Sequence, residues 1–256
     1  MHRHIARRYA SRKVGRIAAQ SRELRTVGVP DYERYDYSKR WRHLELADSA
    51  EKETIRRMLW TSGRCLELGG GYGRITSLLE EIYDETLMMD LSQLNLRIAQ
   101  SRLDKAGLLR GDIRRIPFRN DTFDCAVCIR VLHHYPNPLP VLQEISRVVR
   151  RRGQVLLGVP NDKSIHNRLF NSAEETWVDE HGHIISNLGS RAIKGIPLVE
   201  TVRKGTGLFD NNIGRALRRL RFLSHLDVYS SGMLALKSLV FISYRNEKPE
   251  DNADRL

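Results

Sequence analysis

The sequence predicts an α/β fold built on a mostly parallel sheet, and three observations predict it. Short apolar runs alternate with helical stretches between Arg64 and Val159. A glycine-rich turn, Gly69-Gly70-Gly71-Tyr72-Gly73, stands where the first apolar run ends and a helix begins. Polar residues close four successive runs: Glu67, Asp90, Asp112 and Arg130. Alternation of this kind lays strands side by side in parallel, because each helix carries the chain back to the edge it left.

Taken in order, residues 1–28 are a basic N-terminal arm with eight Lys or Arg and one acid, Glu23, bounded by Gly28-Val29-Pro30. Residues 29–60 hold an aromatic, charged segment and then a helix from Asp48 to Trp60, capped by Asp48 or Ser49. Within 61–160, strands are expected at Arg64–Leu68, Thr86–Asp90, Leu108–Ile113, Phe123–Ile129 and Gln154–Val159. Helices are expected at Ile75–Tyr83, Gln93–Lys105 and Leu139–Val149. After Pro160 the alternation breaks, and 161–197 is polar and loop-like over most of its length. The segment 198–246 reads as two more strands, Leu198–Arg203 and Ser238–Arg245, with a helical insertion between them. That insertion carries an amphipathic helix, Ile213 to Leu226, with Ile213, Ala216, Leu217, Leu220 and Leu223 as its apolar stripe. Residues 247–256 are a polar tail.

The 256 residues carry a net charge of +12 and are 41% hydrophobic, which excludes a disordered chain, a coiled coil and a disulfide scaffold. No apolar run approaches the roughly 18 residues needed to span a bilayer. Met1-His2-Arg3-His4 is not followed by the apolar stretch of a secretory signal, so a cytoplasmic location is expected. Cys65, Cys125 and Cys128 lie in apolar runs and read as buried free thiols. The middle of the chain is nearly neutral, and the excess positive charge lies in 1–28 and 145–245. Basic flanks favour phosphates, nucleic acid or an acidic membrane surface; a merely solubilising surface is the alternative.

The glycine turn carries the chemistry. Glycines let the chain turn sharply and bring backbone close to a ligand, and the helix after it offers unpaired N–H groups. Asp90 closes the next strand 21 residues after Gly69, where a carboxylate can accept both ribose hydroxyls of a nucleoside. A dinucleotide fingerprint would need glycine at 74, and that position is Arg74. Glu67, two residues before the first glycine, would repel a pyrophosphate and suits a ligand with a cationic amino group. Asp112 can accept from an adenine amino group while Ile113 packs on the ring.

On these residues the chain resembles the class I S-adenosylmethionine-dependent methyltransferases, in the broad group that acts on quinones and other small molecules. Glu67 to Gly73 is similar to the family's first motif, Asp90 to its ribose-binding acid, and Gly111-Asp112 with Ile116-Pro117-Phe118 and Phe123-Asp124 to its adenine block. Val131-Leu132-His133-His134 is similar to the segment after strand four, and Leu142–Gly153 to the helix and turn before strand five. The resemblance is close over 60–160 and looser beyond. It implies a Rossmann-like, seven-stranded, mostly parallel sheet with helices on both faces and the last strand antiparallel. It implies S-adenosyl-L-methionine as cofactor, held by Glu67, Gly69, Gly71, Tyr72, Asp90, Leu91, Asp112, Ile113 and Arg130. It makes 161–197 and the insertion an acceptor-side lid. Tyr37, Arg40 and Trp41 fall where this family covers its cofactor. An aromatic there can stack on the sulfonium side and an arginine can pair with the methionine carboxylate.

Methyl transfer from a sulfonium rests mainly on positioning, with a base where the nucleophile is a hydroxyl. His133, His134 and His181 are the candidate bases, the last because it aligns with a family histidine near the acceptor pocket. The departure is Gly189, which weakens the helix that should follow. Asp179, Glu180, His181 and His183 match no strong metal-ligand spacing, and no metal is expected. After strand four the chain reads Arg130-Val131-Leu132-His133, not the Asn/Asp-Pro-Pro-aromatic of base amino-group methylation. The expected acceptor is a small molecule, a lipid or a lipid-linked glycan. Residues 213–226 can supply peripheral contact with the inner membrane surface. An RNA or protein methyltransferase using 1–28 as a phosphate-binding arm is a second reading, and a non-catalytic cofactor-binding protein a third.

Overall fold

The computed structural model describes residues 36–60, 62–135, 137–161, 193, 195–207, 222–229 and 232–249. A helical turn, Tyr37–Arg40, runs into a 3-10 turn at Trp41–His43 and then into helix α1, Glu45–Met58. The core follows as β1 (Arg64–Leu68), α2 (Thr76–Ile82), β2 (Glu85–Asp90), α3 (Gln93–Gln100), β3 (Gly107–Arg110), β4 (Phe123–Ile129), α4 (Leu139–Val148) and β5 (Val149–Pro160). Strand β6 (Leu198–Thr206), helix α5 (Phe222–Tyr229) and β7 (Leu239–Asn246) complete it.

The seven strands form one sheet in the order β3-β2-β1-β4-β5-β7-β6. Strands β1 to β5 pair in parallel, and β7 lies antiparallel to both β5 and β6. The seven-stranded, mostly parallel architecture expected from the sequence is therefore present, with the reversed last strand. Helices cover both faces. One face packs Leu66, Leu68, Ala126, Cys128, Val155 and Leu157 with Val141, Leu142 and Ile145 of α4. The other packs Cys65, Cys125, Val127 and Leu156 with Ile55 of α1 and Leu78 and Leu79 of α2. Cys125 and Cys128 have Cys-x-x-Cys spacing, but three steps along a strand put them on opposite faces. All three cysteines are buried free thiols, as expected.

The bounds of β1 and β4 match the sequence reading. Others differ, each for a local reason. Helix α1 begins at Glu45, with Leu44 in the capping position and no side-chain cap. Asp48, expected as its cap, instead binds Arg74 and Lys52. Strand β3 stops at Arg110, because Asp112 accepts from the N–H of Arg114 at 2.9 Å and turns the chain. Strand β5 begins at Val149 and takes in an arginine-rich bend in which Arg152 has φ +61°. Helix α3 ends at Gln100 rather than Lys105. The helix expected over 213–226 lies outside the described residues up to 221; from Phe222 the chain is helical and runs on to Tyr229.

The base of this insertion is closed by a buried ion pair. Lys237, fully buried just before β7, donates through Nζ to Asp227 Oδ1 of α5 at 2.6 Å and to the Asp227 carbonyl at 3.0 Å. The other carboxylate oxygen accepts from the N–H of Gly207, at the end of β6, at 3.0 Å. Removing one partner leaves the other charge buried and unpaired, which costs about 3–5 kcal/mol. Lys237→Met is therefore expected to lower unfolding stability by about that amount. The double variant Asp227→Asn/Lys237→Met is expected to recover part of it. Urea titrations followed by circular dichroism check both.

Candidate active site

The sheet order reverses between β1 and β4: the chain moves outward from β1 to β3, then returns to the other edge of β1. Connections leave in opposite directions there and open a crevice beyond the carboxyl ends of the strands, where ligands bind in open α/β sheets. The glycine turn, Asp90 and residues 130–134 all sit at that end.

The turn is shaped by backbone geometry. Gly69 and Gly71 have φ +72° and +57°, in the left-handed region that costs other residues roughly 1–2 kcal/mol. A Cβ on Gly69 would come within 2.4 Å of Val131, so this glycine allows β1 and β4 to release their chains side by side. A Cβ on Gly71 would meet nothing within 4 Å. Gly71 therefore turns the chain and leaves open space against its backbone, which is the cradle a ligand needs.

Asp90 ties this turn to β2. Its Oδ2 accepts from the N–H of Gly71 and its Oδ1 from that of Ser92, both at 2.8 Å. Two backbone donors thus fix the carboxylate before any ligand arrives. Glu67 points from β1 toward α2, beneath the turn, and is 3% exposed. Thr76 donates its hydroxyl to it. Burial pushes the Glu67 carboxyl up to about 7, reinforced by the negative charge of Asp90 and opposed by the Thr76 hydrogen bond and Arg74.

Asp112 lies beyond β3, held by Arg114 through Nε at 3.0 Å and Nη2 at 2.6 Å. Leu91 follows Asp90, and its carbonyl accepts from Arg110 Nε at 3.0 Å. Ile113 is buried in the core face that contains α4. Tyr72 is buried under the Arg102 guanidinium, 5.0 Å from its ring centre, and burial pushes its hydroxyl up to about 12. His133 and His134 occupy a 3-10 turn at Leu132–His134 after β4, with ring centres 3.9 Å apart. Tyr37 and Arg40 begin and end the first helical turn. His181 and the lid 161–197 lie outside the described residues, apart from 161, 193 and 195–197. No group of three or more His, Cys, Asp or Glu suited to a metal is found among the described residues.

Arg130, a candidate cofactor-binding residue, engages a residue that sequence reasoning missed. Glu51 of α1, 1% exposed, accepts from Arg130 Nη2 at 2.5 Å and from Arg74 Nη2 at 2.6 Å. Arg74 also donates to Asp48 at 2.8 Å, and its guanidinium stacks on Trp41, 3.6 Å from the ring centre. Burial would raise the Glu51 carboxyl, but the two arginines outweigh it and hold it below its usual value. The available signal was a glutamate inside a helical stripe of buried positions: Ala47, Ala50, Glu51, Thr54, Ile55 and Met58. Trp41, Tyr72 and Arg74 also line a cavity of about 570 Å³ between α1 and α5, whose walls include Ser224, His225 and Val228. Glu67, Asp90 and Asp112 do not line it.

Residues 66–157 match the family model for a methyltransferase domain. This stretch is a class I S-adenosylmethionine-dependent methyltransferase domain. Among curated proteins, the methyltransferase domain is similar to the ubiquinone/menaquinone biosynthesis C-methyltransferase UbiE of Blochmanniella pennsylvanica, 32% identical over 113 residues, 40% of this chain and 44% of that one. It is also similar to the demethylmenaquinone methyltransferase of Thermotoga maritima, 28% identical over 128 residues, 48% of this chain and 56% of that one. The chain thus spans about half the length of these relatives. Its fold is that of the geranyl diphosphate C-methyltransferase of Streptomyces coelicolor A3(2), solved with Mg2+, geranyl diphosphate and S-adenosyl-L-homocysteine. That likeness has a TM-score of 0.55 and 16% identity and covers 87% of this chain and 88% of that one.

The raised Glu67 carboxyl makes stability depend on pH. Its folded value lies above its unfolded one, so its contribution is complete below about 4.5 and is lost as pH rises to about 7. The loss amounts to roughly 3 kcal/mol. Glu67→Gln has no such titration. The difference in melting stability between variant and parent is expected to shift in the variant's favour from pH 4.5 to 8. Parallel stability curves would contradict the assignment.

Proposed function

We propose that the chain binds S-adenosyl-L-methionine at the β1/β4 crevice and transfers its methyl group to a small-molecule or lipid acceptor, lipid-linked glycans included. One observation carries this reading. Asp90, at the end of β2, accepts from the N–H of Gly71, a left-handed glycine with open space against it, while Glu67 is buried beneath the turn and Asp112 follows the end of the adjacent β3. A donor set of that kind suits a neutral nucleoside with a cationic appendage and disfavours a pyrophosphate.

Asp90, already fixed by two N–H groups, is suited to accept from ribose hydroxyls. Asp112 is suited to accept from an adenine amino group, beside Ile113. Glu67 balances a cationic amino group without exposure to water. The backbone at Gly69 and Gly71 permits close approach, and Tyr72 and Leu91 wall the crevice. Tyr37, Arg40 and Trp41 are the residues that the family resemblance offers as its cover from the N-terminal side. The cofactor, once bound, supplies an electrophilic methyl on a sulfonium. His133 or His134, at the same end of β4, takes the proton from a hydroxyl acceptor; His181 is the third candidate base.

Relatives named for quinone methylation, and a structural neighbour named for geranyl diphosphate methylation, support an apolar, isoprenoid-like acceptor class. Peripheral membrane contact through 213–226 and a cytoplasmic location fit such an acceptor. No described helix is long and apolar enough to cross a membrane.

The test is transfer of a radiolabelled methyl group from S-adenosylmethionine to cell extract separated into lipid, small-molecule, RNA and protein fractions. Label is expected in the solvent-extractable lipid or small-molecule fraction, and Asp90→Ala is expected to abolish it. Label in RNA, lost when 1–28 is removed, or label in protein would favour the second reading. Tight cofactor binding with no labelled product would favour a non-catalytic protein. In calorimetry, affinity for S-adenosylhomocysteine is expected to rise with pH up to about 7, because Glu67 must ionise to meet the amino group.

A further inference from the structure

The crevice has an electrostatic problem that its carboxylates do not solve. Glu67, Asp90 and Asp112 suit the nucleoside and amino group, but they repel the carboxylate of an amino-acid end. Cations must offset them there. Arg74 follows the glycine turn, and Arg130 follows β4, so these two flank the point where strand order reverses.

Two guanidiniums so placed repel each other unless a counter-charge lies between them. Glu51 is that charge. Its Oε1 takes Arg130, through Nη2 at 2.5 Å and Nε at 3.1 Å, and its Oε2 takes Arg74 at 2.6 Å. Trp41 backs both, with guanidinium carbons 3.6 Å and 5.5 Å from its ring centre. Arg130 holds a left-handed backbone, φ +58°, which is costly for a side chain of its size. A buried ion network is weak evidence of net stabilisation. Its use here is geometric: one carboxylate from α1 sets the positions of two arginines on two different loops.

We infer that Glu51 is a positioning residue, which holds Arg74 and Arg130 so that the crevice accepts the carboxylate-bearing amino-acid end of its nucleoside ligand. The inference rests on the function proposed above. Its consequence is selective. Loss of Glu51 weakens ligands that carry the amino-acid end and spares those that stop at the thioether.

The experiment is calorimetric titration of the full chain with S-adenosylhomocysteine and with 5′-methylthioadenosine, which keeps adenosine and sulfur but lacks the amino acid. The parent is expected to bind both. Glu51→Gln is expected to lose about tenfold in affinity for S-adenosylhomocysteine, the worth of one charge-assisted hydrogen bond. It should change less than about twofold toward methylthioadenosine. Arg130→Lys, which keeps the charge and loses the fork, is expected to show the same selective loss; it stands in if Glu51→Gln fails to fold. Equal losses for both ligands, or no loss in either variant, would overturn the inference and leave the proposed function intact. A parent that binds neither ligand would overturn both.

Discussion

The reversal of strand order between β1 and β4 is the constraint from which the rest of the site follows. Side-by-side parallel strands must release their chains at the same end. Where the connections then diverge, the space between them cannot be filled by either. Gly69 is the local expression of that rule: a Cβ there would strike Val131 across the gap. Gly71 turns the chain a second time and presents its N–H to Asp90 from the next strand. The crevice, its floor and its first carboxylate thus come from one topological fact and two backbone conformations.

Charge balance shapes what that space can hold. The crevice gathers acids, which the chain tolerates in three ways. Asp90 is satisfied by backbone donors, Asp112 by the Arg114 fork, and Glu67 by burial with a threonine hydroxyl beside it. Burial carries the ionisation of Glu67 into the neutral pH range. Beside α1, two arginines gather around Glu51 and an indole.

Much of this was legible in the sequence because it is local. Strands β1 and β4 are mainly apolar runs, with Glu67 and Asp124 as the interior exceptions, and their bounds follow directly. Glu67, the glycines and Asp90 lie within one strand–turn–helix–strand unit, where spacing alone relates them. The arginine network was not legible for the opposite reason. Glu51 and Arg130 are 79 residues apart, and a glutamate on a charged helix reads as solvent-facing until its neighbours prove buried. Arg74 was noticed only as a missing third glycine, although its presence there is the positive fact. Asp48 was misread as a cap because capping residues are the same short polar side chains that serve as ion-pair partners. Of the candidate bases, His133 and His134 fall at a strand end that the apolar run defines, whereas His181 belongs to a segment with no periodic pattern.

The pair formed by Asp227 and Lys237 reaches further than its contribution to stability. Together with the Gly207 N–H, it joins the exit of β6, the last described helix and the approach to β7 at one point. Gly207 and Asp227, 20 residues apart in sequence, are held together by one hydrogen bond. A change at any one of the three groups therefore reaches the end of β6, helix α5 and the approach to β7 together.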